Sequence, residues 1–197
     1  MPARVWVSIL RKDLFNLDGT KGYHMKLLII GAGGYGQLVK EIAELTEEYE
    51  QIDFLDDAYE EAVGKVCELK TVQGKYDGCV VAIGNPEIRE KIFLEIDNPK
   101  TIIHPKAVIS KSASIGNGCV IEANTVISTE AVVKDCSYIY AGAVINHNAV
   151  VSEFCQVNCN AVVMTGSVLP KGTKLNCCSV WSKPIIAKPN DVADSFF

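Results

Sequence analysis

A six-residue period of apolar positions runs through the second half of the chain. Every sixth residue from Ile103 to Trp181 is apolar, and all of them except Trp181 are aliphatic. The row consists of Ile103, Ile109, Ile115, Ile121, Ile127, Val133, Ile139, Ile145, Val151, Val157, Val163, Leu169, Leu175 and Trp181. From Ala107 to Ser179, a small side chain stands two residues before each member of this row. A fixed period of six fits neither an α-helix nor an ordinary strand, so it indicates a repeat architecture.

The hexad pattern predicts a triangular parallel β-helix over residues 102–183. Each hexad supplies one short strand and one corner, and three hexads complete a coil of about eighteen residues. The aliphatic residue points inward, and the small residue fits near the corner, where a larger side chain would not. Glycine or asparagine recurs three residues after the aliphatic, at Gly118, Asn124, Gly142, Asn148, Asn160, Gly166 and Gly172. These residue types tolerate the left-handed backbone of a tight corner.

Strands and helices alternate in the first half of the chain. Apolar runs at 26–30, 52–55 and 79–83 read as buried strands, and a helix with Leu38, Val39, Ile42 and Leu45 on its apolar face is expected over 36–48. A second helix is expected to begin at Pro86, with Asn85 as its N-cap. This alternation predicts a small Rossmann-like α/β domain with a parallel sheet over residues 25–101.

The two ends of the chain do not continue these patterns. Residues 1–24 lack the apolar core of a signal peptide, and the strand pattern begins afresh at Met25. We therefore expect residues 1–24 to be a leader that is not native, with Met25 as the natural start. Residues 184–197 show no period and are expected to form a tail.

Composition narrows the classes of partner. The formal net charge is −5 and the pI is near 5.3, which argues against nucleic acid, and no apolar run is long enough to span a membrane. Of eight cysteines, Cys119 and Cys155 occupy the small slots of the β-helix and none forms a CxxC pair. This usage indicates a reducing, cytoplasmic location and no metal site.

A glycine-rich turn is the first candidate site. Gly31, Gly33 and Gly36 form G-x-G-x-x-G between a strand and a helix, and Asp56 follows at the distance of a ribose-binding acid. Small residues let backbone N–H groups approach a phosphate at the helix N-terminus. The short domain suits a nucleotide sugar better than a dinucleotide, although the glycines could also serve only a tight turn.

His147 is the second candidate. It follows the inward Ile145 by two residues, so we expect it to point outward at a corner, with Thr129 one coil below and Thr165 one coil above. A lone histidine at such a position is commonly just solvated, so the pattern alone leaves its role open.

The order of a GAGGYG domain and then a hexapeptide β-helix resembles the sialic-acid O-acetyltransferase and UDP-4-amino-sugar N-acetyltransferase family. The matching stretches are IIGAGGYG (29–36), FLDD (54–57), AIGNPEIREKI (82–92) and VINHNAVVSEFCQV (144–157). The resemblance implies a left-handed coil, a homotrimer, and acetyl-CoA in the groove between neighbouring β-helices.

The resemblance also implies roles for particular residues. His147 would be the general base, with Asn148 beside it. The nucleotide sugar would contact the turn from Gly31 through Gly33, Gly34 and Tyr35 to Gly36, together with Asp56, Asp57, Asn85 and Arg89. Gln156 would lie near the CoA, and backbone N–H groups of Thr165 and Gly166 would hold the thioester oxygen.

These inferences predict an acetyl-CoA-dependent N-acetyltransferase acting on the amino group of a UDP-4-amino-4,6-dideoxy-sugar. O-acetylation of a sialic-acid-like sugar is the alternative within the class. A catalytically silent trimeric nucleotide-sugar binder is another, because Asn148 stands where the family has a carboxylate and the family's closing coil and CoA-binding strand have no counterpart in this sequence. A metal-dependent hydratase of similar fold needs three histidines, and only His104 and His147 lie in or beside the β-helix.

Overall fold

The structure, a computed structural model, describes residues 25–182 and begins with a three-layer α/β unit. Its elements are β1 (Met25–Ile30), α1 (Gly34–Thr46), β2 (Tyr49–Leu55), α2 (Leu69–Val72), β3 (Gly78–Val81) and α3 (Pro86–Phe93). The strands pair in parallel in the order β2-β1-β3, which confirms the small Rossmann-like sheet.

The sheet is buried on both faces, which explains the continuous apolar run of β1. Leu27 and Ile29 pack into the cluster that contains α1, whereas Leu28 and Ile30 pack into the cluster with Leu69 and Ile96. This alternation follows from the two-residue period of a strand. The predicted apolar face of α1 is wrong at Leu45, whose side chain is 56% exposed, because Ala43 is the residue that α1 buries after Ile42.

The rest of the described chain is a left-handed parallel β-helix of fourteen two-residue strands, as the hexads predict. The strands are β4 (Ile102–Ile103), β5 (Val108–Ile109), β6 (Ser114–Ile115), β7 (Val120–Ile121), β8 (Val126–Ile127), β9 (Val132–Val133), β10 (Tyr138–Ile139), β11 (Val144–Ile145), β12 (Val150–Val151), β13 (Gln156–Val157), β14 (Val162–Val163), β15 (Val168–Leu169), β16 (Lys174–Leu175) and β17 (Val180–Trp181).

These strands stack into three faces. The first face contains β4, β7, β10, β13 and β16, the second β5, β8, β11, β14 and β17, and the third β6, β9, β12 and β15. Every pairing joins residues eighteen apart, such as Val144 with Val162. The inward rows form one core in which Ile121, Ile139, Val157 and Val163 are fully buried.

The corners have the expected left-handed backbone. All seven predicted glycine and asparagine positions have a positive φ, for example 59° at Asn148 and 64° at Gly166. The same conformation occurs at Glu130, Cys136, Phe154 and Cys178, where residue type did not predict it. The hexad geometry therefore imposes the corner even where the side chain disfavours it.

The first face joins the two parts of the molecule. The outward side chains of Ile102, Val120 and Tyr138 pack in the same cluster as α1 and β1. Within residues 25–182, no helix is both long and apolar enough to cross a membrane. The division at residues 25–101 and 102–183 stays a prediction, and the predicted leader (1–24) and tail (184–197) lie outside the described residues.

Candidate functional site

The glycine-rich turn joins β1 to α1, and its glycines have two different roles. Gly31 has a φ of 101°, and a Cβ at Gly36 would lie 2.0 Å from the Gly31 carbonyl oxygen, so both serve the tight turn. Gly33 and Gly34 are exposed, with no atom within 4 Å of an added Cβ. Gly33 is the N-cap of α1. The open backbone at a helix N-terminus is suited to an anionic group.

The Asp56 carboxylate stabilises this turn through hydrogen bonds to backbone N–H groups. One carboxylate oxygen accepts a hydrogen bond from the Ala32 N–H (2.8 Å), and the other accepts from the N–H groups of Ala58 and Tyr59 (2.8 and 3.0 Å). These bonds lower the pKa of Asp56 below its usual range. Asp57 accepts from the Val66 N–H at 2.9 Å. Both acids thus order loops beside the turn, where the sequence predicted substrate contacts.

Tyr35 turns away from the exposed side of the turn. Its ring packs against Tyr138 (4.9 Å between centroids) and Tyr140 (5.2 Å), on the first face of the β-helix. Burial, followed by the neighbouring tyrosines and Glu122, raises the pKa of its hydroxyl well above the ordinary value. The Tyr35 side chain belongs to the junction between the two parts, and a substrate contact of this residue stays a prediction.

Asn85 and Arg89 are also structural. The Asn85 side chain caps α3 by accepting hydrogen bonds from the N–H groups of Glu87 and Ile88, both at 3.0 Å. Arg89 is fully buried and stacks on the Tyr138 ring, 4.2 Å from its centroid. Its guanidinium donates to the carbonyl oxygens of Ile83, Gly84, Cys136 and Phe154. Its donors bind the backbone on both sides of the junction, so these contacts do not favour the substrate contact of Arg89, which stays a prediction.

Gln156, like Arg89, is a buried side chain that donates to a backbone carbonyl oxygen at the junction. Its side chain is 3% exposed, and its Nε2 donates to the Gly84 carbonyl oxygen at 2.6 Å. It lies on the first face, under the α/β part, and its predicted place near CoA stays a prediction.

Sequence reasoning missed Glu122, which lies on the first face close to Tyr35. Its side chain is 6% exposed; Oε2 accepts from the Ala141 N–H at 3.0 Å. Within residues 25–182, Glu122 Oε1 and the Tyr35 hydroxyl are buried side-chain atoms without a hydrogen-bond partner. Burial raises the pKa of Glu122, although the Ala141 N–H opposes the shift. Stepping by eighteen residues from Tyr140 would have placed Glu122 directly below it, beside the junction.

Replacing Glu122 with glutamine is expected to change the free energy of unfolding more favourably at pH 8 than at pH 4. A carboxyl with a raised pKa contributes stability below its unfolded pKa, about 4.3, and that contribution is lost as the pH rises through the folded pKa. The amide avoids the cost of burying a charge. Urea midpoints of both proteins at the two pH values test this, with the exposed Glu130→Gln as the matched control. An equal effect at both pH values would contradict the prediction.

His147 lies at the corner between the second and third faces and is exposed, as predicted. Its Nδ1 lies 2.9 Å from Asn148 Oδ1. Because an amide oxygen only accepts hydrogen bonds, this contact places a proton on Nδ1, and in the neutral imidazole the lone pair is then on Nε2. The left-handed backbone of Asn148 and its contact with the imidazole coexist, so one residue both forms the corner and orients the ring.

The stack predicted around His147 is present. The Asn148 N–H donates to the Thr129 carbonyl at 3.0 Å, and the Gly166 N–H donates to the His147 carbonyl at 3.3 Å. The Gly166 N–H therefore already has a hydrogen-bond acceptor within the β-helix. The Thr165 N–H, one coil above His147, has no hydrogen-bond partner among residues 25–182. Of the two predicted oxygen-binding groups, only Thr165 keeps a free donor.

A pocket of about 280 Å³ lies elsewhere, where α3 meets the corner between the third and first faces. It is lined by Pro86, Glu87, Glu90, Phe154, Lys171 and Gly172. None of the predicted site residues lines it. Within residues 25–182, no group of three or more His, Cys, Asp or Glu side chains could hold a metal ion.

Comparison with known proteins finds sequences similar to this chain. Residues 26–96 match the family model of the PglD N-terminal domain. UDP-N-acetylbacillosamine N-acetyltransferase from Bacillus subtilis (strain 168) is 32% identical over 109 residues, which are 48% of this chain and 50% of the relative. The chain thus matches about half the length of this curated relative.

Solved structures share the whole architecture. The acetyltransferase domain of PglB from Neisseria gonorrhoeae FA1090, solved with acetyl coenzyme A, is 27% identical with a TM-score of 0.77, covering 82% of this chain and 83% of that one. A point mutant of GDP-perosamine N-acetyltransferase from Caulobacter crescentus, solved with CoA and GDP-perosamine, has 20% identity and a TM-score of 0.64, covering 81% and 90%, and supports the fold alone. Residues 26–96 are thus similar to the PglD N-terminal domain, and residues of both parts of the chain share their fold with the acetyltransferase domain of PglB.

Proposed function

We propose that this protein is an acetyl-CoA-dependent N-acetyltransferase that acylates the amino group of a UDP-4-amino-4,6-dideoxy-sugar. The observation that carries the proposal is the exposed His147 imidazole, which Asn148 orients with the Nε2 lone pair free. The names of two relatives support it, since one is a UDP-N-acetylbacillosamine N-acetyltransferase and the other was solved with acetyl coenzyme A.

The chemistry requires one proton acceptor. As the sugar nitrogen attacks the thioester carbonyl, His147 Nε2 takes a proton from the amine; the C–N bond forms and the C–S bond breaks. The protonated imidazole then supplies a proton to the leaving CoA thiolate. The products are the acetamido sugar and free CoA, without a covalent enzyme intermediate.

The thioester oxygen gains negative charge during the attack, and the Thr165 N–H is the donor that we assign to it. This donor lies one coil above His147 and has no partner among the described residues. A fixed backbone donor aimed at a developing oxyanion needs little reorganisation as the charge develops. Because Gly166 donates to His147, we assign this role to Thr165 alone.

The nucleotide sugar is proposed to bind at the exposed part of the glycine-rich turn. Gly33 and Gly34 present open backbone at the N-terminus of α1, where phosphate charge is favoured. Asp56, Asp57 and Asn85 keep indirect roles in this proposal, because they order the turn and the start of α3. The nucleotide contacts would come mainly from backbone N–H groups.

A homotrimer is the proposed assembly. His147 lies at the corner opposite the first face, which carries the α/β part of the same chain. A substrate on one copy is therefore better placed for the His147 of a neighbouring copy. The second face also carries a ladder of outward valines in register, at Val108, Val126, Val144, Val162 and Val180. An apolar stripe of this kind suits burial against another copy.

The cytoplasm is the proposed location. All eight cysteines of the chain lie within the described residues, and all are free. Cysteine used as buried core filler, as at Cys119 and Cys155, is typical of a reducing compartment such as the cytoplasm.

The proposal is tested by incubating the protein with acetyl-CoA and a panel of sugars, with products identified by mass spectrometry and NMR. The panel contains UDP-linked and GDP-linked amino sugars and a sialic-acid-like sugar. We expect an acetamide on the UDP-linked amino sugar. An acetyl ester on a hydroxyl group would indicate O-acetylation instead. Binding of the nucleotide sugar without any transfer would indicate the silent binder and contradict the proposed activity.

A further inference from the structure

Two cysteines stack on one another at an outer corner of the β-helix. Cys159 follows β13 and Cys177 follows β16, both at the corner between the first and second faces. They are eighteen residues apart, a spacing that no other pair of the eight cysteines has. The strands before them pair in register, Gln156 with Lys174 and Val157 with Leu175. The Cys178 N–H also donates to the Cys159 carbonyl at 3.0 Å.

The spacing between neighbouring coils lies within the Cα–Cα range that disulfides span. Adjacent strands lie about 4.8 Å apart, and disulfides join Cα atoms that are about 4.4–6.8 Å apart. Both residues follow the inward aliphatic by two, as His147 does, so both side chains belong to the outward corner. Burial raises the pKa of the Cys159 thiol, and the charges of the neighbouring Glu122 and Cys177 side chains raise it further.

Accessibility separates this pair from the core cysteines. Cys79, Cys119, Cys136 and Cys155 are buried. Burial raises the pKa of Cys79 and Cys119 to about 12 and that of Cys155 to about 11, so their thiolates are scarce at neutral pH. Cys177 is exposed and Cys159 is half-buried. The remaining exposed cysteines, Cys67 and Cys178, have no in-register partner and serve as comparisons.

We propose that Cys159 and Cys177 are a redox-active dithiol that closes a disulfide between two coils in the presence of a small-molecule disulfide of the glutathione class. The Cys177 thiolate attacks the external disulfide, forms a mixed disulfide and releases one small thiol. The Cys159 thiolate then attacks the Cys177 sulfur, forms the cross-coil bond and releases the second thiol. The two protein thiols lose two electrons and two protons, and the external disulfide is reduced by the same amount.

The bond would brace one end of the described β-helix. Within residues 25–182, β16 has a hydrogen-bonded neighbour on one side only, β13. The disulfide closes a loop of eighteen residues and restricts opening of this coil. We therefore expect amide hydrogen exchange in β16 to slow by about tenfold or more upon oxidation.

The test uses the full chain, first reduced and then equilibrated with oxidised glutathione, followed by digestion without reductant and mass spectrometry. The expected product is an intramolecular Cys159–Cys177 disulfide, with slower exchange in β16. The matched variants Cys67→Ser and Cys178→Ser should retain both effects. Cys177→Ser should lose both.

Three outcomes would overturn the proposal. The first is a stable glutathione adduct on Cys177 with Cys159 still reduced. The second is pairing of Cys177 with Cys178 or with a cysteine of another copy. The third is a cross-coil bond that forms without slowing exchange in β16, which would remove the bracing role. None of these results depends on acetyltransferase activity, so they are separable from a failure of the proposed function.

Discussion

Replacing His147 with alanine is expected to lower kcat with acetyl-CoA and the amino sugar by about 10²-fold or more. The imidazole is the proposed proton acceptor, and alanine leaves the attacking nitrogen without a base at that position. Since His147 is exposed, the free energy of unfolding of the variant should lie within about 0.5 kcal/mol of the parental value. Steady-state kinetics at saturating substrates measure the effect, and a urea titration at one protomer concentration checks the fold.

Two other substitutions make this result specific. His104→Ala removes a second histidine of the β-helix, whose Nδ1 accepts from the Lys106 N–H at 3.0 Å, and should leave kcat near the parental value. Asn148→Ala should give an intermediate loss, because the imidazole remains but its orientation is no longer held. If the His147→Ala enzyme keeps the parental kcat, the general-base role is wrong.

Mixed oligomers extend the same experiment to the assembly. Gly34→Asp places a negative charge at the open N-terminus of α1, where an added Cβ meets no atom, so it should block phosphate without disturbing the turn. Copies carrying Gly34→Asp and copies carrying His147→Ala are each expected to be inactive alone. Activity should return when the two are co-expressed if neighbouring copies complete the site. Failure to regain activity in verified mixed trimers would argue for a site within one chain.

Replacing Arg89 with methionine is expected to destabilise the protein by about 3–5 kcal/mol. Methionine keeps much of the side-chain volume but removes a donor from four buried or part-buried carbonyl oxygens, of which that of Gly84 keeps the Gln156 side chain as a donor. Buried acceptors that lose charged donors are costly, and the planar stack on Tyr138 is lost as well. The free energy of unfolding in urea, measured at a fixed protomer concentration, gives the magnitude.

The matched control for Arg89 lies on the same helix. Lys91 is exposed, so Lys91→Met should change the free energy of unfolding by no more than about 0.5 kcal/mol. Because Arg89 joins α3 to two corners of the β-helix, hydrogen exchange in Arg89→Met should accelerate in β1, β3 and α3 before the β-helix core. A loss below about 1 kcal/mol would show that the arginine bonds contribute little beyond solvation.

Much of the fold could be predicted from the sequence because each hexad repeats the same strand and corner. Each inward residue meets its counterpart eighteen positions away, so a local period determines the strands, the core and the corners. The same reasoning placed His147 on an outward corner between Thr129 and Thr165, and the contacts of Asn148 and Gly166 confirm that stack. The glycine-rich turn was also placed correctly between β1 and α1.

The polar residues around the junction could not be interpreted in this way. The sequence placed Arg89, Asn85, Tyr35 and Gln156 near ligands, since polar side chains in family motifs commonly bind substrate. Their real partners are set by packing: Arg89 reaches Phe154 across 65 residues, and Gln156 reaches Gly84 across 72. Whether a polar side chain faces a ligand or a buried carbonyl depends on which face of the β-helix covers it.

The sequence by itself therefore determined the architecture and the outward position of the candidate base, because both follow from short-range periodicity. Only the tertiary structure decided which predicted site residues remain open to a ligand. In the structure, His147, Thr165, Gly33 and Gly34 are exposed. The side chains of Arg89, Gln156 and Tyr35 pack at the junction. The physical reason is that buried donors and acceptors must find partners, and those partners come from parts of the chain that only folding brings together.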